Sequence, residues 1–308
     1  MEKDSKILVT GSTGMVGSTV TRLLKEYGFT NLLTPPRKEL DLTDSLEVVN
    51  YFKLHKPEYV FLIAAKVGGI HANMTYRADF IFDNLMMQTN VINSCKENNI
   101  KKLLFVSSGC VYPKNADNPI SESAILTGLL EPSNEHYSVA KIAGIKMCEA
   151  YQLQYGLDYA VIIPNNIYGP GDNYHPENSH VMASMIRKFH NAIQTNSDVE
   201  IWGSGNQMRE FIYVDDVANA CISLMDSNHT GSYNCSSEVE IAIKDLATLI
   251  GNILGFKGNI LYNINKPEGH FRKGFSCAKL KETKWSANIP LTDGIRLAYD
   301  WYVQNINK

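Results

Sequence analysis

Three glycines constrain the start of this chain. Gly11, Gly14 and Gly17 stand in Gly11-Ser12-Thr13-Gly14-Met15-Val16-Gly17, just after a short apolar run at residues 6–10. The residues that follow, Val16, Val20, Leu23, Leu24 and Tyr27, keep the spacing of one helix face. A buried strand therefore turns sharply into an amphipathic helix. The pattern then recurs. Residues 31–34 read as a short strand closed by Pro35-Pro36, 44–55 as a helix ended before Pro57, and 59–65 as an apolar strand. A long helix over 79–98, a strand over 103–107, a helix over 136–155 and a strand over 159–163, ended by Pro164, complete the series. Strands and helices alternating at these lengths build a parallel sheet covered on both faces, and right-handed crossovers make it doubly wound.

The texture changes after Pro164. A loop rich in Gly, Pro, Asn and His at 168–180 precedes a helix near 181–195. A short strand at 211–213 meets Asp215-Asp216, a helix start; 231–235 reads as one more sheet strand, and late helices fall at 244–254 and 292–304. The expected fold class is α/β, a Rossmann-type doubly wound sheet with a smaller C-terminal substrate-binding domain. The first unit takes residues 1–165 plus about 211–236, the second about 166–210 plus 237–308.

At 308 residues the chain can bury a substantial core, and 44% hydrophobic with 20% charged residues fits a globular protein. A net charge of −3 does not suggest nucleic acid or an anionic membrane as partner. No apolar run nears the ~20 residues that span a bilayer. The six cysteines (Cys95, Cys110, Cys148, Cys221, Cys235 and Cys277) are scattered without a C-x-x-C pair. Free thiols and no metal site are expected, with the cytoplasm as compartment.

The glycine turn has a chemical use. Glycines let the backbone approach a pyrophosphate, and the helix N-terminus favours its negative charge. The spacing is G-x-x-G-x-x-G, familiar in short-chain dehydrogenase/reductases. After the second strand there is no carboxylate for ribose hydroxyls; Arg37 follows instead, and its guanidinium suits a 2′-phosphate. NADP is therefore expected as cofactor, ahead of the reading of Arg37 as a solvated loop charge. Tyr137 and Lys141, four residues apart on a helix, share one face. A free phenol titrates near ~10, and bringing it to 7 takes ~4 kcal/mol of differential interaction. Lys141 is expected to help supply it, making Tyr137 a general acid. Ser108, at the end of the strand beside the cofactor, can hydrogen-bond a substrate carbonyl. Cys110 and His180, taken singly, are more often structural; facing one pocket they would make a base–acid pair.

Longer strings narrow the reading. Ala64-Ala65-Lys66-Val67-Gly68-Gly69-Ile70, the run from Tyr137 through Lys146, Asn166-Ile167-Tyr168-Gly169-Pro170, Asn178-Ser179-His180-Val181, Trp202-Gly203-Ser204-Gly205 and Met208-Arg209-Glu210-Phe211 resemble the GDP-L-fucose synthase family, extended short-chain dehydrogenase/reductases. The resemblance spans essentially the whole chain. It implies NADPH-dependent reduction at C4 of a GDP-linked 4-keto sugar, coupled to C3/C5 epimerisation. Ser108, Tyr137 and Lys141 would form the reductase triad, Cys110 would be the base and His180 the acid. Cofactor contacts would come from Gly11, Ser12, Thr13, Gly14, Met15, Val16, Gly17, Arg37, Asp41, Leu42, Lys141 and His180. Asn166, Lys188, Trp202, Arg209 and Glu268 would hold the substrate. The family's homodimer would pack the helices at 79–98 and 136–155.

The sequence also departs from the family. Gly109 replaces a Ser or Thr and is expected to loosen its loop; Thr13 stands where some members carry an arginine; Asn165 replaces a Thr. Residues 266–276 differ most, with Ser276 in place of an Asp. These keep two alternatives open: a C4 reductase of a GDP-4-keto-heptose with little or no epimerase activity, and a non-catalytic NADP or nucleotide-sugar sensor.

Overall fold

The computed structural model describes residues 1–266 and 271–306. In chain order the first half holds β1 (Ile7–Thr10), α1 (Met15–Glu26), β2 (Leu32–Leu33), α2 (Ser45–His55), β3 (Tyr59–Leu62), α3 (Ile70–Thr75), α4 (Arg77–Glu97), β4 (Lys102–Val106), α5 (Glu135–Tyr155) and β5 (Tyr159–Pro164). The second half adds β6 (Asn166–Tyr168), α6 (Val181–Thr195), β7 (Val199–Trp202), β8 (Met208–Tyr213), α7 (Val214–Met225), β9 (Gly231–Cys235), β10 (Glu240–Ala242), α8 (Ile243–Leu254), β11 (Ile260–Asn263), β12 (Arg272–Lys273), α9 (Ala278–Lys281) and α10 (Leu291–Asn305).

The main sheet runs β2-β1-β3-β4-β5-β9, and every pairing in it is parallel. Strands β1, β4 and β5 are buried along their whole length, which is why they read as unbroken rather than alternating apolar runs. Helices α2, α4 and α5 cover one face through Val48, Phe52, Ile92 and Ile145. Helices α1 and α7 cover the other through Val20, Leu24, Val217 and Leu224. The strand order reverses between β1 and β3, and the crevice beyond the strand ends at such a point is where an open α/β sheet takes its ligand. Local chemistry sets the boundaries. Asp44 caps α2 by accepting from the Leu46 and Glu47 amides at 2.8 and 3.1 Å, and Lys56, in the left-handed region just before Pro57, ends it.

A second sheet, β10-β8-β12 with β6 on β8, packs with α6, α8 and α10 around Ile186, Phe189, Leu246, Ile250 and Ile295. Strand β8 belongs to this sheet, while α7 carries the chain back so that β9 closes the main one. The sequence pattern does not mark strands β6, β7, β10, β11 and β12 or helices α3 and α9. They are two to six residues long, too short for a period to emerge. Among the described residues, no helix is long and apolar enough to cross a membrane.

Candidate active site

The glycine turn forms a close-packed cradle. Gly14 N–H donates to the Gly11 carbonyl at 3.0 Å, and Gly14 opens α1. A Cβ on Gly17 would lie 2.1 Å from the Gly11 oxygen, so only glycine lets the helix start this close to the strand. Ser12 Oγ donates to the Thr34 carbonyl at 3.2 Å, tying the turn to the end of β2, and Thr13 is exposed. Met15 and Val16 are half-buried, packed on the second core. Arg37 is exposed, and its Nε and a terminal nitrogen each lie 3.2 Å from Asp41 Oδ2. Thr43 first, then Arg37, holds the Asp41 carboxyl below its ordinary value. Leu42 is a core residue whose carbonyl accepts from Asn90 Nδ2 at 2.9 Å.

Ser108 begins the single 3-10 turn Gly109–Val111 that follows β4 and carries Cys110. Tyr137 and Lys141 face that turn from α5. Ser108 stands close enough to act on the Tyr137 phenol. The Lys141 ammonium, 2% exposed, donates to the Val106 carbonyl at 2.9 Å and lies 6.0 Å from the centre of the Tyr137 ring. Ser108, Cys110, Tyr137 and Lys141 therefore form one cluster at the C-terminal end of β4. The electrostatics differ from expectation. Burial, followed by the neighbouring Cys110, pushes the Tyr137 phenol well above its ordinary value, and Ser108 only partly opposes this. Lys141 is not what sets it. Burial pulls Lys141 itself down to about 8, with Cys110 opposing. A phenol held protonated at neutral pH is the state a proton donor needs.

Gly109 does not loosen its loop. It is buried, and the Phe275 ring packs where a Cβ would stand, 2.5 Å away, so the glycine is filled space.

His180 is exposed at the start of α6, with the half-buried Asn178 and Ser179 before it. Gly69 N–H donates to the Asn178 carbonyl at 3.0 Å, and a Cβ on Gly69 would lie 2.8 Å from the Ser179 oxygen. The neighbouring Gly68 touches Phe80, whose ring meets Tyr137 edge-on at 6.2 Å. The 64–70 string thus links the His180 loop to the Tyr137 cluster. No hydrogen bond joins Cys110 to His180 among the described residues. Asp172, 8% exposed, faces His180; burial raises its carboxyl and His180 opposes that.

The expected substrate residues divide. Trp202, 51% exposed, has the Lys188 and Lys266 ammoniums 5.6 and 5.3 Å from its ring centre. Lys188 also donates to the Glu200 carbonyl at 2.8 Å, and burial lowers its pKa. Burial likewise lowers that of Arg209, on β8. Asn166 spends its amide on Asn165 Oδ1 and the Glu210 carbonyl, at 2.9 and 2.8 Å, holding β6 to β8. Glu268 lies outside the described residues. Sequence reasoning did not single out Asp172 or Lys273, because no motif marks them.

A glycine cradle at the sheet's switch point, with a Ser/Tyr pair and a buried lysine clustered nearby, defines a nucleotide-dependent oxidoreductase site. The NAD dependent epimerase/dehydratase family matches residues 7–236. The chain is 51% identical to "Putative GDP-L-fucose synthase 2" of Arabidopsis thaliana over 99% of its own length and 94% of that protein's. It is 43% identical to "GDP-L-fucose synthase" of Escherichia coli (strain K12), over 97% of each. Among solved structures, "MlghC, GDP-mannoheptose C4 reductase from Campylobacter jejuni with NADP bound" superposes with a TM-score of 0.89 at 37% identity, covering 98% of this chain and 99% of that one. The chain belongs to the NAD dependent epimerase/dehydratase family, and within it to the GDP-L-fucose synthases.

Proposed function

We propose that the protein is an NADPH-dependent GDP-4-keto-6-deoxymannose epimerase/reductase, a GDP-L-fucose synthase. The observation that carries this is the cluster of Ser108, Tyr137, buried Lys141 and Cys110 gathered where β4 ends and α5 passes. The residues present fit the dinucleotide. The Gly11–Gly17 contact leaves backbone amides open to a pyrophosphate, and the buried Ser107 Oγ and Asn178 Oδ1 have no partner among the described residues. Gly11 to Gly17 would hold the pyrophosphate, Arg37 the 2′-phosphate, and Lys141 the ribose. NADPH, when bound, supplies the hydride for C4 of the keto sugar.

The chain's own groups handle protons and position. Tyr137 delivers the proton to the C4 oxygen, Ser108 orients that oxygen, and Lys141 lowers the cost of the phenolate left behind. Cys110 as thiolate removes the proton from the carbon next to the ketone, leaving the electron pair in an enolate. His180 as imidazolium returns a proton to the opposite face. Lys188, Trp202 and Arg209 hold the GDP portion. Domain roles follow: residues 1–165 with about 211–236 carry the nucleotide cofactor, the remainder the sugar. A homodimer through α4 and α5 is supported by Phe82, Val139 and Leu153, which stand exposed on those helices. The cytoplasm suits six free cysteines.

The test is to mix the protein with NADPH and GDP-4-keto-6-deoxymannose and follow NADPH absorbance and product NMR. GDP-L-fucose with stoichiometric NADPH loss is expected; no NADPH consumption with any GDP-4-keto sugar would refute the reading. The second reading, C4 reduction of a GDP-4-keto-heptose, is favoured by the likeness to MlghC. In D₂O, deuterium at C3 or C5 separates coupled epimerisation from reduction alone.

A further inference from the structure

Cys110 acts electrostatically on a second lysine, Lys273. Strand β12 pairs in parallel with β8 so that Lys273 sits in register with Arg209. Its carbonyl accepts from Asn165 Nδ2 at 3.1 Å. Two residues on, Phe275 fills the space above Gly109, and its ring meets Tyr112 edge-on at 5.2 Å. Ile120 N–H donates to the Gly274 carbonyl at 2.8 Å and Ser276 N–H to the Ile120 carbonyl at 2.9 Å. These contacts hold the 272–276 segment against the turn that carries Cys110.

We propose that Lys273 is a positioning residue for the proton-exchange chemistry, its ammonium stabilising the Cys110 thiolate beside the substrate ketone. The inference rests on the functional reading above and deepens it. Lys141 is already committed to the Val106 carbonyl and the Tyr137 side. A thiolate at position 110 needs a cation of its own, since it borders the buried Tyr137 phenol. Among the described residues Lys273 forms no ion pair with a carboxylate. The carboxylate acting on it, Glu131, is bridged at 3.3 Å by Lys114. The groups facing the Cys110 turn are Tyr137 and Lys141 from α5 and Lys273 from β12, with Arg209 and Glu131 acting on Lys273 in turn. Burial pulls the Lys273 ammonium down to about 8; Cys110 and Glu131 oppose that and Arg209 adds to it.

Proton removal is balanced with this cation in place. The thiolate takes the proton from carbon, the C–H pair passes into the enolate, and the thiol that forms is neutral. The positive charge of Lys273 thus faces a thiolate before the step and an enolate close by after it.

The experiment is iodoacetamide labelling of Cys110 as a function of pH, read by mass spectrometry in the wild type, Lys273→Met, Lys273→Gln and Lys273→Arg. Cys110 is 8% exposed whereas the five other cysteines are fully buried, so their labelling reports any loss of folding within the same sample. Removing the ammonium should slow labelling at pH 7.5 about tenfold in both the Met and Gln variants and move the half-maximal rate to higher pH. Lys273→Arg should stay within about threefold of wild type, since it restores the charge. Deuterium exchange at C3 and C5 in D₂O should fall in the same order. Superimposable labelling profiles for folded wild type and Lys273→Met or Lys273→Gln would overturn the assignment. Failure of the wild type to exchange at C3 or C5 would instead refute the epimerase reading, and labelling would still decide the Lys273–Cys110 relationship.

Discussion

The Lys141 ammonium donates to the Val106 carbonyl at 2.9 Å, so a charge is held almost fully buried against the end of a central strand. Burial pulls its pKa to about 8, below its ordinary 10.5, so the folded state binds fewer protons than the unfolded state between those values. Stability therefore rises with pH through that window as the cost of charging Lys141 is relieved. Below about pH 8 the full cost stands. In Lys141→Met the cost is absent at every pH. The stability difference, variant minus wild type, should shrink by about 2 kcal/mol between pH 7.5 and 9.5. Urea denaturation at the two pH values measures it; a constant difference would mean that Lys141 is not charged at the expense of the fold.

Tyr137 and Ser108 stand side by side, and burial keeps the phenol protonated. Removing the hydroxyl removes the proton donor and little else, because the Tyr137 ring keeps its edge contact with Phe80. Tyr137→Phe should lower kcat by about 10²–10⁴-fold while NADPH fluorescence titration stays within about threefold. Wild-type turnover in that variant would remove Tyr137 from the chemistry.

The sheet was legible because its strands are buried on both faces and its helices are long: β1, β3, β4 and β5 begin within two residues of where the apolar runs place them. The site was legible where it sits on such elements, as Ser108 does at the end of β4 and Tyr137 and Lys141 do on α5. Three features could not be read. Burial, not Lys141, governs the Tyr137 phenol, and that depends on contacts from Phe80 and Cys110 distant in sequence. Arg37 meets Asp41 because a turn of four residues folds back, a local geometry with no periodicity. The two-residue β12 brings Lys273 to Cys110 from more than 160 positions away, through register with β8.

Trp202 stands half-exposed with two ammoniums near its ring, Lys188 at 5.6 Å and Lys266 at 5.3 Å. An exposed indole flanked by cations offers a flat surface to a base and positive charge to a diphosphate. Trp202→Ala should raise KM for the GDP-sugar about 5–30-fold, an effect of about 1–2 kcal/mol, with kcat changed less than threefold and Tm unaltered. Isothermal titration with GDP alone should show the same loss. An unchanged KM would move the nucleotide site elsewhere.

Arg37 reaches Asp41 with two nitrogens at 3.2 Å, yet three-quarters of its side chain is open to solvent. An ion pair this exposed costs little to break, so the guanidinium is available to a doubly charged 2′-phosphate. Charge-assisted hydrogen bonds of that kind contribute about 1.5–3 kcal/mol. Arg37→Ala should raise KM for NADPH about 10–100-fold and leave KM for NADH within about threefold, because NADH lacks the phosphate. Asp41→Asn removes the competing carboxylate and should tighten NADPH two- to fivefold. Parallel initial-rate measurements with the two cofactors check both. Equal losses for NADPH and NADH in Arg37→Ala would show that the residue supports the adenosine half as a whole and does not read the phosphate.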